Sequence, residues 1–226
     1  MKLVEKIVRA DETRPTRLHT QAGEFCGLRA LPGLVPAAWT WLRFWITGRR
    51  VVQPWWVWDA IGLINREIRS TDRLLEAGSG YSSLWLAERC DVVHSIEESK
   101  EWSQLLRSEV LRCQFSNVEI IETRGTLDTF SDMLSKAIAN NEPYDVVVID
   151  SPGDRTAVFK VLTKVAPPWA PRLIIYDNTD RPDDRRALLA FDDLGYEKRR
   201  FLGFGPQLVH ASETAVLVRR AASCVK

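Results

Sequence analysis

The sequence predicts an α/β chain: a doubly wound sheet, mostly parallel with an antiparallel last strand, preceded by a helical, tryptophan-rich extension. Three observations carry this. From residue 73 onward, short runs rich in branched residues alternate with helix-like stretches. The run Val146-Val147-Val148-Ile149 is apolar on both faces, as a strand at the centre of a sheet covered on both sides must be. And six of the nine tryptophans (Trp39, Trp41, Trp45, Trp55, Trp56, Trp58) fall before the first strand, giving that part a different texture.

The chain divides near residue 70, into an aromatic cap over 1–70 and an α/β domain over 71–226. Its 226 residues suffice for one such domain with a real core plus a modest extension. With 31 Lys+Arg against 30 Asp+Glu, the charge balance offers no broad basic face, so no nucleic-acid partner is expected. Cys26, Cys90, Cys113 and Cys224 are scattered with no CxxC pair and no histidine at zinc spacing, which predicts reduced thiols in a cytoplasmic protein. Residues 1–14 mix charges without an apolar core, so no secretory signal is read there. The most apolar stretch, 31–48, is broken by Pro32, Gly33, Pro36 and Arg43 and is too short to span a membrane.

Taken in order, Trp58, Ile61, Ile64 or Asn65, and Ile68 fall at helical spacing after Pro54, predicting a helix that leads into the first strand and packs on the sheet. Strands are expected at 73–77, 92–97, 118–123, 144–150 and 172–177, with helices at 82–89, 101–113, 127–139 and 157–166 between them. Strict alternation implies parallel strands with right-handed crossovers. A helix over 183–194 stops at Gly195, a suitable C-cap. The last strands, 196–201 and 213–219, are separated by a loop too short for a crossover helix, so they pair antiparallel.

In such sheets ligands bind beyond the carboxyl ends of the strands, where strand order reverses. The first strand runs into Glu76-Ala77-Gly78-Ser79-Gly80-Tyr81-Ser82-Ser83. Gly78 and Gly80 permit a tight turn, and Ser82 or Ser83 can cap the next helix. A bare Gly-x-Gly is a weak signal, since turns use glycine anyway. Three details sharpen it: Glu76 precedes the glycines, Ser83 stands where a dinucleotide fingerprint has its third glycine, and Glu97 ends the next strand. A carboxylate at that last position suits a vicinal diol.

The runs LLEAGSGYSS and VVHSIEES resemble motifs I and II of the class I, Rossmann-like S-adenosylmethionine-dependent methyltransferases, over roughly residues 70 to 220. The resemblance implies S-adenosylmethionine as cofactor. Glu76, Gly78 and Gly80 would flank its methionyl part, with Ser79, Tyr81 and Ser82 of the same loop and Asp150 also among the cofactor contacts. Glu97 would hold the ribose, and Arg124-Gly125-Thr126 would lie near the adenine.

The fourth strand ends in Asp150-Ser151-Pro152-Gly153-Asp154-Arg155 and the fifth in Asp177-Asn178. Asp150, Asp177 and Asn178 form a hard, oxygen-only set of the kind that suits Mg²⁺ or Ca²⁺. This is similar to the catechol O-methyltransferase-like branch, where such a set binds a divalent metal that activates the acceptor oxygen. That branch has a lysine base shortly after its first metal aspartate; here Gly153 stands there, so the base is absent, supplied elsewhere or unnecessary. Asp150 can equally orient substrate without metal, Asp154 can cap the helix near Ala157, and Asp177-Asn178 can simply shape a turn. His210, in the loop before the last strand, is the other candidate catalytic base; His94 is read as buried in its strand.

The expected activity is methylation of a small-molecule hydroxyl. Two competitors stay open: a metal-independent O- or N-methyltransferase, and a non-catalytic protein that keeps the cofactor pocket and acts through its tryptophans. A dehydrogenase lacks the third glycine. The tryptophans are core, a lid that shapes an acceptor pocket, or a membrane-surface contact made by Trp39-Thr40-Trp41-Leu42-Arg43-Phe44-Trp45 with Arg49-Arg50. An oligomer is compatible with the sequence.

Overall fold

The computed structural model describes residues 13–152 and 155–219. Gly153, Asp154, Cys224 and residues 1–12 of the N-terminal stretch therefore lie outside the described residues.

After a 3-10 segment, Leu28–Gly33, come α1 (Leu34–Thr47) and α2 (Trp58–Glu67). The alternating core follows: β1 (Arg73–Ala77), α3 (Tyr81–Ala87), β2 (Val92–Glu97), α4 (Lys100–Cys113), β3 (Val118–Glu122), α5 (Thr126–Ala139), β4 (Val146–Ile149), α6 (Arg155–Leu162) and β5 (Leu173–Asp177). The chain closes with α7 (Pro182–Ala187), a 3-10 turn Leu188–Phe191, β6 (Tyr196–Gly203) and β7 (Ser212–Arg219). The seven strands lie in the order β3-β2-β1-β4-β5-β7-β6. β1 to β5 are parallel, and β7 runs antiparallel to both β5 and β6. Strand order reverses between β1 and β4, which makes their carboxyl ends the switch point.

The period of two in each strand builds a core on each face. Leu75, Ala77, Val147, Ile149, Ile174 and Tyr176 point one way, under Phe130 and Leu134 of α5 and Val158 and Phe159 of α6. Leu74, Val146, Val148, Leu173 and Ile175 point the other way, under Ala60, Leu63 and Ile64 of α2 and Trp85 and Leu86 of α3. The division near residue 70 therefore cuts through one core: Trp56 and α2 share it with β1 and β4. The buried stripe of α2 is Ala60, Leu63 and Ile64, while Trp58 and Ile61 are only half-buried.

Two elements differ most from expectation. The predicted helix over 183–194 is a six-residue helix continued by a 3-10 turn. Gly195 keeps the left-handed φ of 74° expected of it, but in the turn entering β6. The helix after β4 ends at Leu162, before the Pro167-Pro168 pair, where the prediction ran it to 166.

Candidate functional site

At the switch point the glycine loop is held from behind. Glu76 is fully buried on β1, and its carboxylate accepts hydrogen bonds from Ser82 Oγ (2.6 Å), Ser83 Oγ (2.5 Å) and Ser95 Oγ (2.6 Å). Burial pushes its pKa up to about 7, against the pull of the three hydroxyls. Glu76 thus ties α3 and β2 to β1 from inside the protein rather than lining the cavity in front of the loop. Ser83 Oγ also accepts the Gly80 N–H at 3.1 Å, satisfying a donor at the start of α3.

Gly78 has a physical reason of its own. Its φ is +95°, and a Cβ there would lie 2.5 Å from the Asp150 carbonyl and the Ser151 nitrogen. Only glycine lets the loops after β1 and β4 pass this closely. The crossing is pinned by Asp150 N–H donating to Ala77 O (2.8 Å) and Gly78 N–H donating to Ile96 O (2.9 Å).

In front of the loop lies a cavity of about 170 Å³ lined by Ser79, Gly80, Tyr81, Ser82, Asp150, Gln53, Trp55 and Trp102. Trp102 Nε1 donates to the Ser79 carbonyl at 2.8 Å, and Tyr81 packs at a tilt on the Trp102 ring. Glu97, buried at the end of β2, accepts from Ser79 N–H (3.2 Å) and Ser99 N–H (2.8 Å), and burial raises its pKa. Each of its oxygens keeps acceptor capacity beyond these bonds. Gly125 precedes α5, in a loop anchored by Glu98, which accepts both the Thr126 N–H and its hydroxyl.

Asp150, Asp177 and Asn178 come to one edge, and a cation already stands among them. Arg155, buried at the start of α6, donates through Nη1 to Asp177 O (2.9 Å) and Asn178 Oδ1 (3.1 Å), and through Nε to Ser151 O. Its Nη2 lies 3.7 Å from Asp150 Oδ1. Asp177 Oδ1 accepts from Thr214 Oγ1 at 2.6 Å. Burial, with Asp150 nearby, holds its pKa well above the usual carboxylate range. Asn178 Nδ2 donates to Ser212 Oγ. The predicted triad therefore does not fit a divalent ion: the Arg155 guanidinium already supplies the cation, donating to the amide oxygen of Asn178 and lying 3.7 Å from Asp150 Oδ1. Among the described residues, no group of three or more His, Cys, Asp and Glu side chains is arranged to hold a metal.

The segment ahead of α2 roofs this edge. Trp56 is fully buried, and its Nε1 donates to Asp150 Oδ2 at 3.4 Å. Val57 N–H donates to Thr214 Oγ1, and Trp58 N–H to Phe204 O. His210 sits half-buried in the β6–β7 loop at the same edge, since Thr214 of β7 pairs with Asp177. His94 is half-buried rather than buried, with Nδ1 2.7 Å from Tyr144 Oη.

Arg155, Trp56, Gln53 and Trp102 escaped the motif reading. Arg155 did leave a signal: a cation at a helix start opposes the helix dipole unless carboxylates answer it. Gln53 and Trp56 share the segment ahead of α2 and Trp102 lies on α4, so the three meet at the site only in the fold.

No family model matches the chain. The chain is similar to protein-L-isoaspartate O-methyltransferase 2 of Pelobacter propionicus, 32% identical over 85 residues, or 37% of this chain and 34% of the relative. It is also similar to a protein-L-isoaspartate O-methyltransferase of Methanoculleus marisnigri, 31% identical over 104 residues, 45% of this chain and 42% of the relative. The chain thus spans less than half the length of these curated relatives. Among solved structures it resembles one described as a caffeoyl-CoA O-methyltransferase from Staphylococcus aureus, with TM-score 0.55 and 18% identity over 79% of this chain and 90% of that one. The shared property is the fold, a Rossmann-like sheet with an antiparallel β7.

Proposed function

We propose that the chain is an S-adenosylmethionine-dependent O-methyltransferase that works without a divalent metal. The carrying observation is the cavity at the switch point, where the glycine loop, Asp150 and two indole faces meet. The partial similarity to O-methyltransferases points the same way.

The residues suit this cofactor chemically. Indole faces of Trp55 and Trp102 suit a purine, Glu97 suits a ribose diol, and the glycine loop lets backbone approach a ligand closely. Ser151 Oγ, buried beside Asp150, has no hydrogen-bond partner among the described residues. At about 170 Å³ the cavity is below the roughly 300 Å³ of common ligand sites, so Trp55 and Trp102 would part on binding. That makes the N-terminal segment a lid.

Bound S-adenosylmethionine supplies an electrophilic methyl group. The chain's part is positioning: the roof of Trp55 and Trp56 excludes water, and Asp150 orients an acceptor hydroxyl and accepts its proton. Burial raises the pKa of Asp150, which improves it as a base, while the nearby Arg155 guanidinium limits that rise. His210 is the second candidate base at the same edge.

A carboxylate acceptor is the second reading, favoured by a cleft of about 540 Å³ beside Arg155 that also carries Lys160, Arg181 and Arg186. Its two acids are engaged, Asp183 by Arg186 and Asp184 by the Tyr176 hydroxyl. Such an acceptor needs no base.

Calorimetric titration with S-adenosylmethionine tests the proposal. Saturable binding with a change in tryptophan fluorescence is expected, unaltered by EDTA. Absence of heat and of thermal stabilisation at saturating ligand would overturn it.

A further inference from the structure

We propose that α1 is a membrane-docking helix that lies in the interface of an anionic lipid surface. Only Ala37 and Thr40 of α1 are buried, with Phe44 half-buried one turn on, a narrow seam at helical spacing. The opposite face is open and apolar: Val35 is 73% exposed, Trp39 65%, Trp45 72% and Ile46 67%, with Trp41 and Leu42 also exposed. No described residue covers this face. A contiguous apolar face of this kind on an exposed helix marks an interaction site.

The charge around it says what kind. From residue 25 to 58 the chain holds Arg29, Arg43, Arg49 and Arg50 and no acidic residue. Beside the C-terminal end of α1, Arg43, Arg49, Arg50 and Arg112 line a cavity of about 480 Å³, and its Glu109 is already paired with Arg112. Exposed indoles with arginines at the polar edge are the composition of an interfacial helix on anionic lipid, where indoles settle at headgroup depth and arginines reach the phosphates. No helix among the described residues is long and apolar enough to cross a membrane, so α1 lies on the surface rather than through it. Arg50 links this surface to the cofactor cavity: its guanidinium sits 4.5 Å from the Phe44 ring centre and 4.8 Å from that of Trp55.

The test is co-sedimentation of the full chain with vesicles of phosphatidylcholine alone and of phosphatidylcholine mixed with phosphatidylglycerol. Expected are binding to the mixed vesicles, weak binding to the neutral ones, release by salt, and a blue shift of tryptophan emission. Trp39→Ser with Trp45→Ser should abolish binding. Arg43→Ser with Arg49→Ser should weaken it about thirtyfold, the loss expected for two arginines near an anionic surface. These four side chains are exposed, so circular dichroism of the variants should match the parent. No binding of the parent to mixed vesicles overturns the proposal, as does binding that survives loss of both tryptophans. A dimer that Trp39→Ser with Trp45→Ser dissolves, with no vesicle binding by the parent, would assign the face to a second copy of the chain.

Discussion

Glu76 and Glu97 stand one residue short of the glycine loop and at the end of the neighbouring strand, yet their surroundings give them different work. Glu76 is fully enclosed, with a folded-state pKa of about 7 against an ordinary 4.5. A raised carboxyl pKa means the folded protein holds the proton more tightly than the unfolded chain. Its contribution is therefore complete below pH 4.5 and lost as pH rises to about 7. Relative to Glu76→Gln, the parent should lose roughly 3 kcal/mol between about pH 5 and about pH 8, read from urea unfolding at each pH. A difference that stays flat over that window would remove Glu76 as a buried titrating group. Glu97 faces the loop instead, and its remaining acceptor capacity is what the cofactor reading uses. Glu97→Ala should weaken S-adenosylmethionine binding by about 1–3 kcal/mol, the scale of a lost charged acceptor. Calorimetry giving the parent's affinity would take Glu97 out of the site.

At the scale of elements, the start of α6 decides how the site handles charge. Arg155 opposes the positive end of its own helix and is stable there because Asp150, the Asp177 carbonyl and the Asn178 amide surround it. Arg155→Leu should cost roughly 3 kcal/mol in urea unfolding, because it strips the cation from a buried group of acceptors. The parent's melting temperature should be indifferent to MgCl₂. A rise with Mg²⁺ that Asp150→Asn abolishes would restore the metal reading. The same helix marks where sequence reasoning stopped. The strands were legible because alternation and the doubly apolar β4 are local patterns, and Gly78 was legible because a turn after a strand demands it. Which cation meets Asp150 depends on how the loops after β4 and β5 approach, and no local period records that. The long helix expected at 183–194 failed for a related reason: its periodicity continues, but the backbone tightens into a 3-10 turn so that Leu188 and Phe191 reach the core.

For the whole molecule, the sequence's change of texture near residue 70 marks no boundary in the packing. Both faces of the sheet need cover. On one face that cover includes Trp56, Val57, Ala60, Leu63 and Ile64, all buried against β1, β4, β5 and β7. The earlier part of the extension is attached differently. Arg14 pairs with Asp180, while Glu24 pairs with Arg185 and Arg200, two arginines that also bind the buried Glu213. With a small buried cluster of Cys26 and Ala37 against Phe204 and Ala211, these contacts lie outside the two cores on the faces of the sheet. Two truncations should therefore part company. A chain starting at residue 49 should keep a single cooperative unfolding transition at reduced stability, having lost ion pairs, the narrow seam of α1 and the apolar cover of Phe204 and Ala211. A chain starting at residue 71 leaves Leu74, Val146, Val148 and Ile175 without α2 above them. It should show a broad transition with strong binding of an apolar dye. Thermal denaturation followed by near-ultraviolet circular dichroism separates the two, and a sharp transition in the shorter chain would mean that α2 is a cap after all.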